Sequence, residues 1–183
     1  MRQALPPRSK PGPLPVHEAT PAPHRRLSRR ARQALLTTHI ILSVGLLGDS
    51  AGFLAVAIRA ANADDPLVVR ESVEVLSMFS LVFGIPLSLG SLITGVALGI
   101  GTKWGVFRYP WVTAKLLLVL SVMLVGSFVI GPAEATMLDG NGDATGRLIV
   151  AGAYDVLALV VATGLSVFKP GRRFEGRAAR RPT

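Results

Sequence analysis

The stretch VEVLSMFSLVFGIPLSLGSLITGVALGI, residues 73–100, decides the fold. Its one charged residue is Glu74. A helix rising about 1.5 Å per residue crosses a hydrocarbon core of about 30 Å in about 20 residues, and this run is longer than that. Three more apolar runs, roughly 35–58, 111–130 and 148–168, complete a set of four. Half of the 183 residues are hydrophobic, which leaves room for one bundle and two tails. The sequence therefore predicts an all-α integral membrane protein. Its architecture is an up-down four-helix bundle over residues 34–169, with an arm at 1–33 and a tail at 170–183.

Within the quoted stretch, Pro86 follows Gly84 and precedes Ser88. Proline removes a backbone donor and clashes with the preceding turn, so the second helix is expected to kink near Phe83–Pro86. Ser91, Gly95 and Gly99 then recur every four residues, as do Gly48 and Gly52 in the first run and Ala158 and Ala162 in the fourth. Small residues at this spacing let helices approach closely in lipid. They mark packing positions, either within one chain or at a homo-oligomer seam.

The charges set the expected orientation. Eight Lys and Arg precede residue 35 and six follow residue 168. Lys103, Arg108 and Lys115 lie in or near the second connection. The first and third connections carry most of the acids: Asp64, Asp65, Glu71, Glu74, Glu134, Asp139 and Asp143. Basic flanks stay in the cytoplasm. Both termini are thus expected to be cytoplasmic, with the protein multi-pass in the cytoplasmic membrane. A net charge of +9 raises the question of nucleic acid, but its placement at the ends of spans points to anionic lipid headgroups instead. No nucleic-acid partner is expected. The lipid bilayer is the expected partner, with a second copy or another membrane protein left open.

The arm carries prolines at 6, 7, 11, 13, 15, 21 and 23 and shows no helical period, as irregular, partly polyproline II chain does. Ser28-Arg29-Arg30 together with Ala61-Asn62-Ala63 has the outline of a cleaved export signal. The apolar stretch between them is longer than a signal core of about 7–15 residues and is interrupted by Asp49, which favours a retained span. The second connection reads GTKWGVFRYPW, residues 101–111. Trp104, Phe107, Tyr109 and Trp111 alternate there with Lys103 and Arg108 as interface anchors. In the third connection, Asp139, Asn141 and Asp143 match the opening of a calcium loop. The glycine that such a loop needs is Ala144 and the closing acid is Val150, so a glycine-rich turn is expected.

Ionisable residues inside a bilayer are costly, and each is a functional candidate. Asp49 on the first span and Asp155 on the fourth reach similar depths, about 20 Å from the inner face for Asp49. His39 and Lys115 lie nearer that face, at about 6 Å. Two polar layers are predicted. Asp49 and Asp155 form the outer one, with Ser50, Tyr154 and Ser77 nearby. His39 and Lys115 form the inner one, with Thr37, Thr38 and Thr113. Two carboxylates at one depth in a low dielectric hold a proton or share a cation. That is the chemistry of an ion or proton site. Neutral, hydrogen-bonded packing is the structural alternative.

No cofactor or metal is expected. There is no cysteine, which excludes thiolate ligands and disulfides. A membrane haem commonly takes two axial histidines, and His39 alone lies in a span, with His17 and His24 in the arm. Met78, Met123 and His39 do not converge by depth on a copper site. Neither a Ser–His–Asp set nor a phosphate loop is present, and an enzyme is not expected.

From His39 onward the chain resembles an uncharacterised family of small four-helix bacterial integral membrane proteins common in actinobacteria. The resemblance rests on His39, Gly45 and Gly48, on Ile85-Pro86-Leu87 running into Ser91-Leu-Ile-Thr-Gly95, and on Gly101-Thr-Lys-Trp-Gly-Val-Phe-Arg108 with Trp111-Val-Thr-Ala-Lys115. It covers roughly residues 35–168. Such proteins look distantly like the membrane domain of copper-resistance D proteins. Two features depart from the pattern: Leu46 or Leu47 stands where an aromatic is usual, and Asp49 is added. The resemblance implies the fold and carries no activity. The sequence thus points first to a non-enzymatic membrane protein, structural or accessory to a complex. Its second reading is a small ion or proton conduit, or a metal-linked membrane protein, working through Asp49 and Asp155.

Overall fold

The computed structural model describes residues 28–101, 110–137 and 142–168. All of them outside the short connections are helical. Four helices are long and apolar enough to cross a membrane: α1 (Arg29–Ala61), α2 (Pro66–Gly101), α3 (Pro110–Met137) and α4 (Gly142–Phe168). The chain is an all-α, four-helix integral membrane bundle.

The helices run past the ends of the apolar runs because local capping carries them further. Ser28 accepts a hydrogen bond from the Ala31 amide, so α1 starts at Arg29 rather than at residue 34. Asp65 accepts from the Leu67 amide and Pro66 occupies the first helical turn, which starts α2 ahead of Val73. Proline costs nothing there, since that amide has no helical partner. At the other end of α1, Asn62 folds its side-chain amide back onto the Ile58 carbonyl at 2.7 Å.

Pro86 acts through a local change of helix type. Residues Phe79–Gly84 form a π-helical segment, and the Ile85 amide donates to the Ser80 carbonyl, five residues back. The wider turn takes up the register that a proline cannot continue. The same device recurs in α3. Gly126–Ile130 is π-helical, the Gly131 amide donates to the Gly126 carbonyl, and Pro132 follows. Helix α3 therefore continues through Gly131-Pro132 to Met137, well beyond Ile130.

Contacts fix the packing order. Helix α1 lies between α2 and α4, α3 packs on α4, and of the four adjacent pairs α2 and α3 meet least. Neighbours are antiparallel. Along α1 and α2, Gly52 meets Phe79, Gly45 meets Leu87 and His39 meets Thr94. Along α3 and α4, Lys115 donates to Ser166 while Ser121 accepts from Tyr154.

The apolar core comes in two parts. Near the end of the bundle where α1 gives way to α2, Phe53, Ala57, Leu76, Ile130, Ala133, Leu148 and Ala151 pack together. A smaller cluster of Leu46, Val122, Ala158 and Leu159 lies toward the end that carries the termini. Between them is a cavity.

Candidate functional site

The cavity holds about 360 Å³ and touches all four helices. Asp49, Ser50 and Phe53 come from α1, and Ser80, Gly84 and Ser88 from α2. Val122, Gly126, Ser127 and Glu134 come from α3, and Gly152 and Asp155 from α4. Both aspartates sit near mid-helix: Asp49 is about 18 Å along α1 from Ala61, and Asp155 about 20 Å along α4 from Gly142. Antiparallel packing brings these equal depths to one cavity.

Asp155 is buried, with 6% of its surface exposed, and Asp49 is partly buried. Each has a buried Oδ1 with no hydrogen-bond partner in the protein. Buried polar atoms are almost always paired, and an orphan costs about 1–3 kcal/mol. Both residues line the same cavity. The Asp49 carboxylate lies against the backbone of α2: a Cβ placed on Gly84 would be 3.3 Å from its Oδ2 and 3.2 Å from the Phe79 carbonyl oxygen. Glycine at 84 thus admits the carboxylate to the π-helical segment.

A third carboxylate completes the lining. Ser80 donates to Glu134 Oε1 at 2.6 Å, tying α2 to α3. Its sequence signal is Gly131-Pro132, which reads as the end of a span. The parallel with Gly84-Ile85-Pro86, inside a span, is what could have placed Glu134 within the bundle.

The remaining predicted polar residues are placed as follows. Ser50 lines the cavity. Ser77 does not, and Ser80, one turn further along α2, takes that position. Tyr154 turns away and donates to Ser121 on α3 at 2.7 Å. His39 and Lys115 take separate partners. His39 Nδ1 pairs with Thr94 Oγ1 at 2.9 Å. The Thr94 hydroxyl already donates to the Gly90 carbonyl at 2.7 Å, so His39 Nδ1 is the donor in that contact. Next to it, Ser43 and Ser91 pair at 3.0 Å. Lys115 donates to Ser166 across the α3–α4 contact. Thr37 and Thr38 are exposed and Thr94 takes their expected role. These are interhelical ties, apart from the cavity.

Among the packing positions, Gly52 and Gly95 sit at close contacts. A Cβ on Gly52 would be 2.8 Å from Phe79 Cε1, and one on Gly95 would be 3.1 Å from His39 Cε1. Ser91 and Gly99 are buried. A Cβ on Gly48 would meet nothing within 4 Å, so position 48 makes no close helix contact within the chain. Of the interface anchors, Trp111 lies in the first turn of α3, while Trp104, Phe107, Arg108 and Tyr109 fall outside the described residues. Met123 lines the cavity, Met78 is exposed and His39 pairs with Thr94, so the three do not meet. Among the described residues, no group of three or more His, Cys, Asp or Glu is placed to hold a metal ion.

A family model described as "Predicted integral membrane protein (DUF2269)" matches residues 33–170. The chain belongs to this family. The matched segment contains every cavity residue named above. No curated protein matches the chain, nor does any solved structure. Membership in DUF2269 therefore agrees with the membrane bundle, and the chemistry has to be argued from the site.

Proposed function

We propose that this protein binds a cation inside the bilayer, at Asp49 and Asp155, and conducts it or an exchanged proton across the membrane. The observation that carries the reading is the two buried, unpartnered carboxylate oxygens of residues that line one cavity. Charged groups are expensive in a membrane and are retained where they serve a pathway. A cation between the two carboxylates would satisfy both orphans and cancel their mutual repulsion. Binding and release leave the ligand covalently unchanged, so the reading is non-enzymatic.

A structural or accessory role is the second reading, favoured by the His39–Thr94, Ser43–Ser91 and Lys115–Ser166 ties. These bonds account for the polar residues near the termini and do not reach Asp49 or Asp155. The charge asymmetry supports cytoplasmic termini in the inner membrane, with the basic arm and tail on anionic headgroups.

Proteoliposomes test the conduit. Wild-type protein should pass protons, sodium or potassium down an imposed gradient, and Asp49→Asn and Asp155→Asn should each abolish that flux while the bundle stays folded. Absence of flux from wild type under every gradient, with both variants equally stable, would leave the accessory reading.

A further inference from the structure

The cavity is not closed on all sides. Leu81, Ile85 and Leu89 of α2 line it, yet they are 63%, 51% and 42% exposed. Ser127 and Gly131 of α3 also line it and are exposed. These residues lie in the middle of α2 and along the second half of α3, where a membrane protein faces acyl chains. The opening is therefore lateral, between the two adjacent helices that meet least. Both π-helical segments border it, Phe79–Gly84 on one side and Gly126–Ile130 on the other. Such segments are frequent at functional sites.

The size and walls of the cavity narrow its ligand. A volume of about 360 Å³ corresponds to about a dozen water molecules at about 30 Å³ each. A bare ion or a proton needs far less, and the described carboxylates do not form a three-ligand metal cluster. The walls are largely apolar, through Leu46, Ile85, Val122 and Ile130. Phe53, a buried aromatic, lines the cavity together with the aspartates, and aromatic rings attract cations.

We infer that the cavity takes an organic cation with an apolar body, an amine or quaternary ammonium, which enters from the bilayer between α2 and α3. Its head sits at Asp49 and Asp155, and its body lies against Phe53 and the aliphatic wall. This inference rests on the reading of the two aspartates as a cation site, and it adds the ligand class and the route.

Equilibrium dialysis of the full chain in lipid nanodiscs tests it with benzyltrimethylammonium. Neopentylbenzene, its neutral carbon isostere, controls for partition into lipid. Saturable binding of the cation is expected in wild type, with affinity falling at least tenfold in Asp49→Asn and Asp155→Asn. Gly126→Phe should also block it, because a Cβ at Gly126 meets nothing within 4 Å and the ring would fill the opening. Circular dichroism confirms that each variant is folded, and proton, sodium and potassium flux are read in parallel in proteoliposomes. Binding that matches the neutral isostere, or that survives both Asn variants, overturns the inference. Aspartate-dependent sodium flux without benzyltrimethylammonium binding overturns the ligand class and keeps the cation site. Absence of benzyltrimethylammonium binding together with absence of proton, sodium and potassium flux removes the two readings together.

Discussion

Replacing Asp155 by leucine should make the protein more stable while destroying its cation binding. Asp155 is 6% exposed and its Oδ1 has no partner. Leaving such an atom unpaired costs about 1–3 kcal/mol. Insertion scales point the same way, with Asp at a helix centre about 3 kcal/mol worse than Leu. The larger side chain extends into a cavity of about 360 Å³, so overpacking adds little. The net expectation for Asp155→Leu is a gain of about 1–3 kcal/mol. Stability would be read by titrating SDS into mixed micelles and following helix content by circular dichroism. Functional groups are often held at a cost to stability, and this substitution should expose that trade. A loss of about 1 kcal/mol or more would refute the reasoning, because it would mean that Asp155 holds the bundle together through a partner.

Two more perturbations probe the packing and the orientation. Gly52→Ala puts a methyl group 2.8 Å from Phe79 Cε1, whose ring also packs on Phe83 at a centroid distance of 6.4 Å. Overpacking of about 1–3 kcal/mol, offset by about 1 kcal/mol of helix propensity, should leave it neutral to about 2 kcal/mol less stable in the same SDS titration. Gly48→Ala meets no neighbour within 4 Å, so it should be neutral or gain up to about 1 kcal/mol; the reverse order would contradict the helix facing. The chain has no cysteine, so single cysteines at Thr102 and Asn141 can be labelled cleanly. They should react from opposite sides of the membrane, with Asn141 accessible from outside, and labelling of both from one side would reject the topology.

Much of the fold is legible in the sequence because lipid imposes a length rule that four apolar runs satisfy without reference to tertiary contacts. That Asp49 and Asp155 line one cavity is legible for a related reason: in an antiparallel bundle, depth follows from residue counting. Glu134 is not legible, since Gly131-Pro132 ends a helix in most contexts and here only shifts it into a π-helical turn. Helix facing is equally hidden. Gly48 and Gly52 share a small-residue motif, yet Gly52 meets Phe79 and Gly48 meets nothing, because the rotation of α1 is set by its contacts with α2 and α4. The partners of His39 and Lys115 escape depth arithmetic too. That arithmetic gives the level of a residue and not the direction of its side chain, and each found a hydroxyl on its nearer neighbour.

The central claim is that Asp49 and Asp155 act together on a cation. Infrared difference spectroscopy of the purified protein, with sodium, potassium and benzyltrimethylammonium added in turn, tests it most directly. At least one cation should change the carboxyl stretching bands, and Asp49→Asn and Asp155→Asn should each remove that change. A spectrum without carboxyl changes for any of the three cations, or one that both variants leave intact, would contradict the claim.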